Sequence, residues 1–185
     1  MNNAVSAAGS TSISQCLCEE GYAPDGALCS PCEAGSIKST TGNEVCVECV
    51  RGKYSMSTTE CQDCPDNSHT VHAGSDGIDD CLCVAAFQKI GTQCETCDAG
   101  FYCSGNDNRQ ACMPHSSSPA GSTSQAACVC ENGRHLDQGA CAVCPVEHFC
   151  TNNEIHHCFD HSNSAVGKAA ETDCTCNAGY ERKAA

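Results

Sequence analysis

Apolar side chains are scattered along this 185-residue chain with neither of the periods that build ordinary elements. No 11-residue window carries the i, i+3, i+4, i+7 stripe that a helix needs to bury one face. The stretches between are rich in Gly, Ser and Asn and read as turns. Regular structure is therefore expected to be sparse, with short two-stranded ribbons around Gly35–Val47 and Gly100–Cys112.

The residue that does recur is cysteine. A Cys-x-Cys pair stands at Cys16/Cys18, Cys81/Cys83, Cys128/Cys130 and Cys174/Cys176, and each is preceded seven positions upstream by a glycine: Gly9, Gly74, Gly121 and Gly167. One offset repeated at all four pairs marks an internal repeat. Residues 83–128 and 130–174 share a cysteine plan, while 18–81 is longer and holds three Cys-x-x-Cys pairs, at Cys29/Cys32, Cys46/Cys49 and Cys61/Cys64. The predicted organisation is the tail of a preceding module over 1–17, a long module at 18–81, modules at 82–128 and 129–174, and the start of another at 175–185. With boundaries inside the Cys-x-Cys pairs, Cys16 and Cys176 are left without partners.

Composition explains why cysteine has to do the folding. Leu, Ile, Val and Phe number 4, 5, 10 and 4, a total of 23 in 185 residues. That is under the roughly 20% below which a charged chain buries too little apolar surface to offset its ordering entropy. Disulfides supply the difference by restricting the unfolded chain, about 2–4 kcal/mol each for loops of this size. The expected fold class is small and disulfide-rich, an elongated tandem array of cysteine-rich modules with short β-ribbons. So many bridges persist only in an oxidising compartment, so the chain is expected to be secreted or displayed at a cell surface.

Charge excludes some partners. Twenty-three acidic residues against nine basic ones give a net charge of −14 and no basic cluster, which argues against nucleic acid and anionic membranes. No stretch approaches the 18 or so apolar residues of a membrane span. Modules this thin offer little interior for a nucleophile and base, so no catalytic residue is assigned and no enzyme activity is expected. Cys29-x2-Cys32-x13-Cys46-x2-Cys49 has the spacing of a four-thiolate zinc site, but one such site leaves the four Cys-x-Cys pairs unexplained. Asp76, Asp79 and Asp80 before Cys81 hint at calcium, yet Gln125-Ala126-Ala127 stands at the equivalent place before Cys128. No cofactor is assigned, with calcium kept in view. Histidines gather at His135, His148, His156, His157 and His161, where either a transition-metal or pH-responsive patch or plain solvent-exposed rings fit.

The Ser/Thr-rich segments 66–80, 113–127 and 159–173 read as exposed loops open to O-linked sugars; no Asn-x-Ser/Thr acceptor exists in the chain. A glycine followed closely by an aromatic recurs at Gly21-Tyr22, Gly52-Lys53-Tyr54, Gly100-Phe101-Tyr102 and Gly179-Tyr180. Glycine there suits a turn at positive φ. Ala86 replaces it after Cys83, and Glu147 stands where the preceding module has Gly100, which puts the turn geometry at those two places in question.

The runs CLCEEGYAPDGALCSPCEAGSIKSTTGNEVCVEC and CETCDAGFYC, with a Ser-rich loop ending in CxCxxGY, resemble the ephrin-receptor-like cysteine-rich repeats, relatives of tumour-necrosis-factor-receptor and EGF-like modules. The resemblance covers about 16–180. It implies an extracellular string of modules of the kind that forms stalks, coats or fibres in large surface proteins of protists and algae, and it carries no catalytic residues. By the same resemblance, Cys83 would pair with Cys94, Cys97 with Cys112 and Cys103 with Cys128, and in parallel Cys130 with Cys141, Cys144 with Cys158 and Cys150 with Cys174. Two functions follow: a structural segment whose partners are copies of itself or adjoining modules, or a receptor-type ectodomain taking a protein or glycan ligand. Phe87, Tyr102, Phe149 and Phe159 are the candidate interface residues for either.

Overall fold

The computed structural model describes residues 2–182. Among them there is no α-helix; the regular structure is eleven two-stranded antiparallel sheets and four single-turn 3-10 helices. The expected small, disulfide-rich fold of short ribbons is what forms, and the two ribbons read from sequence are present as Ser36–Ile37 with Val47–Glu48 and Phe101–Cys103 with Arg109–Ala111. The chain divides into two compact units. One runs up to Glu95 and takes in Gly105–Asp107; the other comprises Thr96–Ser104 and the chain from Asn108 onward.

In place of an aliphatic core there is sulfur. Tyr54 is the only buried apolar residue that is not a cysteine among those described. The ten disulfides fall in three stretches: Cys18–Cys29, Cys32–Cys46, Cys49–Cys61 and Cys64–Cys81; Cys83–Cys94, Cys97–Cys103 and Cys112–Cys128; Cys130–Cys141, Cys144–Cys150 and Cys158–Cys174. Cys16 and Cys176 carry none. All four sulfurs of the zinc-like Cys29/Cys32/Cys46/Cys49 set are thus consumed in bridges.

This bonding corrects four of the six pairings implied by resemblance. Cys97 joins Cys103 rather than Cys112, and Cys112 joins Cys128; likewise Cys144 joins Cys150, and Cys158 joins Cys174. The cause is local. Gly100 at φ +81° turns the chain midway between Cys97 and Cys103 and brings their Cα atoms to 6.0 Å, within disulfide range. A loop of six residues also closes at less entropic cost than one of fifteen. In the long first stretch the residue six after Cys49 is Ser55, so no sulfur is available there and Cys49 reaches Cys61 instead.

The questioned turns keep their geometry. Ala86 has φ +75° and Glu147 φ +62°, matching Gly21 at +78° and Gly100 at +81°. A side chain held in the left-handed region costs about 1–2 kcal/mol that glycine does not. Ala86→Gly and Glu147→Gly are each expected to stabilise the fold by about 1 kcal/mol. Chemical denaturation with the disulfides intact checks this; a loss of stability in either variant would show that the side chain makes a compensating contact.

The recurring glycines have a second task. Gly74, Gly121 and Gly167, all at φ +75°, donate their N–H to the carbonyls of Cys49, Cys97 and Cys144 at 2.8 Å. The Ser/Thr-rich segments are correspondingly not plain exposed loops. Thr70, Ser118 and Ser164 are 0%, 3% and 6% exposed. Their hydroxyls donate to the carbonyls of Lys53, Phe101 and His148 at 3.4, 2.7 and 2.6 Å. The loop closes over its own disulfides because, with so few hydrophobic side chains, backbone carbonyls are what it can dock on.

Candidate functional site at the module junctions

The element that repeats most closely is the Cys-x-Cys junction. A single 3-10 turn leads into it each time, at Ile13–Gln15, Ile78–Asp80, Gln125–Ala127 and Glu171–Asp173. In three of the four, the residue before the first cysteine caps that turn from below. Gln15 Oε1 accepts from the N–H groups of Thr11 and Ser12. Asp80 Oδ2 accepts from Asp76 and Gly77, and Asp173 Oδ2 from Ala169 and Ala170. The Asp173 carboxyl is held below its ordinary pKa chiefly by those two backbone N–H groups, with Lys168 adding to them, so the cap survives to more acidic pH than a free aspartate would allow. Asp80, singled out for calcium, therefore serves the backbone. No group of three or more His, Cys, Asp or Glu among the described residues is arranged to hold a metal ion.

Beyond the turn, the Cys-x-Cys segment becomes a strand that pairs back onto the preceding loop: Ala4–Val5 with Leu17–Cys18, Ser68–Thr70 with Cys81–Cys83, Ser116–Ser117 with Val129–Cys130, and Ser162–Asn163 with Thr175–Cys176. The next residue continues the connection. Glu19, Val84, Glu131 and Asn177 each donate their N–H to a left-handed residue, Asn3, Asn67, His115 and His161. Each junction is thus stitched to the loop behind it.

A side chain then grips it from the other side. Asn43 Oδ1 accepts from Cys18 N–H at 3.2 Å while its Nδ2 donates to the Cys16 carbonyl at 3.1 Å. Asn153 does the same, accepting from Cys130 N–H at 2.6 Å and donating to the Cys128 carbonyl at 3.2 Å. At the middle junction the clamp is Asp107, which accepts from Cys83 N–H at 2.7 Å but has no donor of its own. Lys89 supplies it. Its ammonium lies 3.3 Å from Asp107 Oδ2 and reaches the Cys81 carbonyl at 3.4 Å. The first junction has a further cation: buried Lys38 donates to the carbonyls of Cys18 and Glu19 at 3.0 and 3.1 Å.

None of these clamp residues stood out in the sequence. A cue existed, since Asn43, Asp107 and Asn153 each lie about 24 residues past a Cys-x-Cys pair, but loop lengths differ and acidic or amide residues are common. Of the proposed interface rings, Tyr102 hydrogen-bonds Gln110, Phe149 stacks on His156 at 5.0 Å, Phe159 lies under the Arg182 guanidinium at 4.7 Å, and Phe87 starts the ribbon Phe87–Ile90. All four are half-buried rather than displayed. Exposed apolar residues lie elsewhere, at Ile13, Leu28 and Val166 and, clustered in sequence, at Val45, Val47, Val50 and Met56, which are 74%, 63%, 61% and 70% exposed.

Comparison with known proteins agrees with this architecture. The family described as tyrosine-protein kinase ephrin type A/B receptor-like matches residues 38–81. That stretch is an ephrin-receptor-like cysteine-rich repeat. Cysteine repeat modular protein A of Toxoplasma gondii is 35% identical over 162 residues, covering 77% of this chain and 5% of that protein. Cysteine repeat modular protein B of the same organism is 32% identical over 122 residues, 63% of this chain and 1% of its own length. A mouse protein, Sushi, von Willebrand factor type A, EGF and pentraxin domain-containing protein 1, is 35% identical over 83 residues, 44% of this chain and 2% of that protein. The chain therefore spans at most 5% of the length of these relatives. The chain is built of cysteine-rich modules similar to those of these much longer relatives. No helix among its described residues is long and apolar enough to cross a membrane.

Proposed function

We propose that these repeats form a structural segment of an extracellular or cell-surface protein, with the module running from the second cysteine of one Cys-x-Cys pair to the first of the next. The observation that carries this is the junction. The same stitch and clamp are built by asparagine at Cys16/Cys18 and Cys128/Cys130 and rebuilt by Asp107 with Lys89 at Cys81/Cys83, so what is maintained is the link between consecutive modules. Ten disulfides require an oxidising compartment. The modular relatives support a place in a long array, whose surfaces meet neighbouring copies or adjoining modules rather than a substrate. Asp80 would bring to a calcium ion a carboxylate whose Oδ2 already accepts from Asp76 and Gly77.

Exposed Val45, Val47 and Val50 are the contact we assign to such packing, with the half-buried rings Phe87, Tyr102, Phe149 and Phe159 as separate candidates. Sedimentation velocity across a wide concentration range, with Cys16 and Cys176 alkylated to prevent adventitious cross-linking, tests the reading. Reversible self-association that weakens in Val47→Asp/Val50→Asp is expected. A chain that stays monomeric at every concentration overturns the assembly role in favour of a receptor-type ectodomain for a protein or glycan.

A further inference from the structure

A ribbon follows the left-handed residues Gly52, Gly100 and Glu147 in the three stretches, with two, three and four residues per strand and a different cross-strand pair at its first position. Lys53 faces Asp63, Phe101 faces Ala111, and His148 faces His157. The first is an ion pair, and in the second Arg109 covers the Phe101 ring at 3.5 Å. The fold thus accepts unrelated chemistries here, and packing does not call for two histidines.

The two imidazoles lie partly over one another with their Nε2 atoms adjacent. His148 Nε2 and His157 Nε2 are 3.2 Å apart, with ring centroids at 3.9 Å and ring planes inclined by 42°. His148 Nδ1 lies 2.8 Å from the Val146 carbonyl. A carbonyl oxygen can only accept, so Nδ1 carries the proton and, in the neutral ring, Nε2 keeps its lone pair. A backbone carbonyl fixing the far nitrogen of a histidine is the usual support of a metal ligand. The backbone beneath is held as well, since the His148 carbonyl accepts the buried Ser164 hydroxyl and Cys150, two residues on, is bridged to Cys144. Imidazole nitrogens bind zinc at about 2.0–2.1 Å, which puts two of them about 2.9–3.4 Å apart for angles between a right angle and tetrahedral. The observed separation lies inside that range.

We propose that His148 and His157 form a two-histidine chelate for a first-row transition-metal ion of the zinc–copper class, an assignment that does not depend on the structural role proposed above. In the metal-free chain His157 donates its Nε2 proton to His148. Binding requires that His157 carry its proton on Nδ1 and that its exposed ring swing off His148 until both Nε2 lone pairs converge on the ion, with water completing the coordination. His156 lies on the other face of the ribbon, stacked on Phe149 with its Nε2 3.7 Å from Glu154, and takes no part.

Calorimetric titration of the full chain with zinc alone tests this, with the disulfides intact and Cys16 and Cys176 alkylated so that no thiolate competes. One zinc per chain is expected. His148→Gln or His157→Gln should each weaken binding at least about tenfold, the second ligand having been held at high effective concentration by the first. His156→Gln should leave it unchanged. The double variant His148→Phe/His157→Ala installs the pair the middle stretch already carries, so it should fold and lose the site. Zinc binding that survives in that double variant, that falls equally in His156→Gln, or that is absent from the parent chain overturns the proposal.

Discussion

Gly133→Ala is expected to destabilise the second unit by about 3–5 kcal/mol, well beyond the effect of the same change at Gly139, because strain and overpacking act together. Both glycines have positive φ, +80° and +85°, so each alanine pays the left-handed cost of about 1–2 kcal/mol. At Gly139 the new methyl meets nothing within 4 Å. At Gly133 it would stand 2.3 Å from the Gly167 carbonyl oxygen and 2.9 Å from its carbon. Neither side can yield easily. Gly167 N–H is bonded to the Cys144 carbonyl, and Gly133 bonds the Cys150 carbonyl through its N–H and Cys144 N–H through its own carbonyl. The methyl therefore pries at the two cysteines of one bridge. Because repeat proteins open by parts, native-state hydrogen exchange is the right readout. Faster exchange at Cys144, Cys150 and Gly167 in Gly133→Ala, with little change in Gly139→Ala, is the expected result. Equal effects at the two sites would mean that the backbone approach is not what glycine serves at 133. Gly35, whose methyl would meet the Gly74 oxygen at 2.0 Å, is the same device in the first unit.

Asn153→Ala should cost about 2–4 kcal/mol at the junction between the second and third stretches. The buried Cys130 N–H loses its only side-chain acceptor, worth about 1–3 kcal/mol when left stranded. The Cys128 carbonyl loses its amide donor, and alanine must hold a φ of +70° that asparagine tolerates better. The middle junction suggests a sharper test. There Asp107 accepts and Lys89 donates, and Lys89, six residues past Cys83, corresponds to Leu136, six past Cys130. Asn153→Asp keeps the acceptor but removes the donor, and it is expected to cost about 1 kcal/mol, one neutral hydrogen bond. Leu136 is 44% exposed, so lysine fits in its place. Adding Leu136→Lys should recover most of the loss, and thermal denaturation of the four members of the cycle measures the coupling. Additive effects would show that the Asp107–Lys89 arrangement is not an interchangeable form of the asparagine clamp.

What the sequence determined by itself was the organisation. The Cys-x-Cys pairs, the glycine seven residues upstream and the poverty of Leu, Ile, Val and Phe are covalent and compositional facts, and they lead to a disulfide-rich array of ribbons by physics that needs no tertiary information. Even the two ribbons at 35–47 and 100–112 were legible, because a glycine turn leading into a short β-prone run is a local signal. Connectivity was not. Six cysteines allow 15 pairings, and the choice of Cys103 over Cys112 as partner of Cys97 depends on where one turn at Gly100 places a sulfur in space. The clamps, and which two of the gathered histidines would meet, were hidden for the same reason. Asn153 meets Cys130 across 23 residues, and the two histidines meet because the register of one ribbon sets them opposite each other. In a chain without a hydrophobic core, each local staple can be read along the sequence, whereas partners brought together by the folding of one staple on the next are decided only in three dimensions.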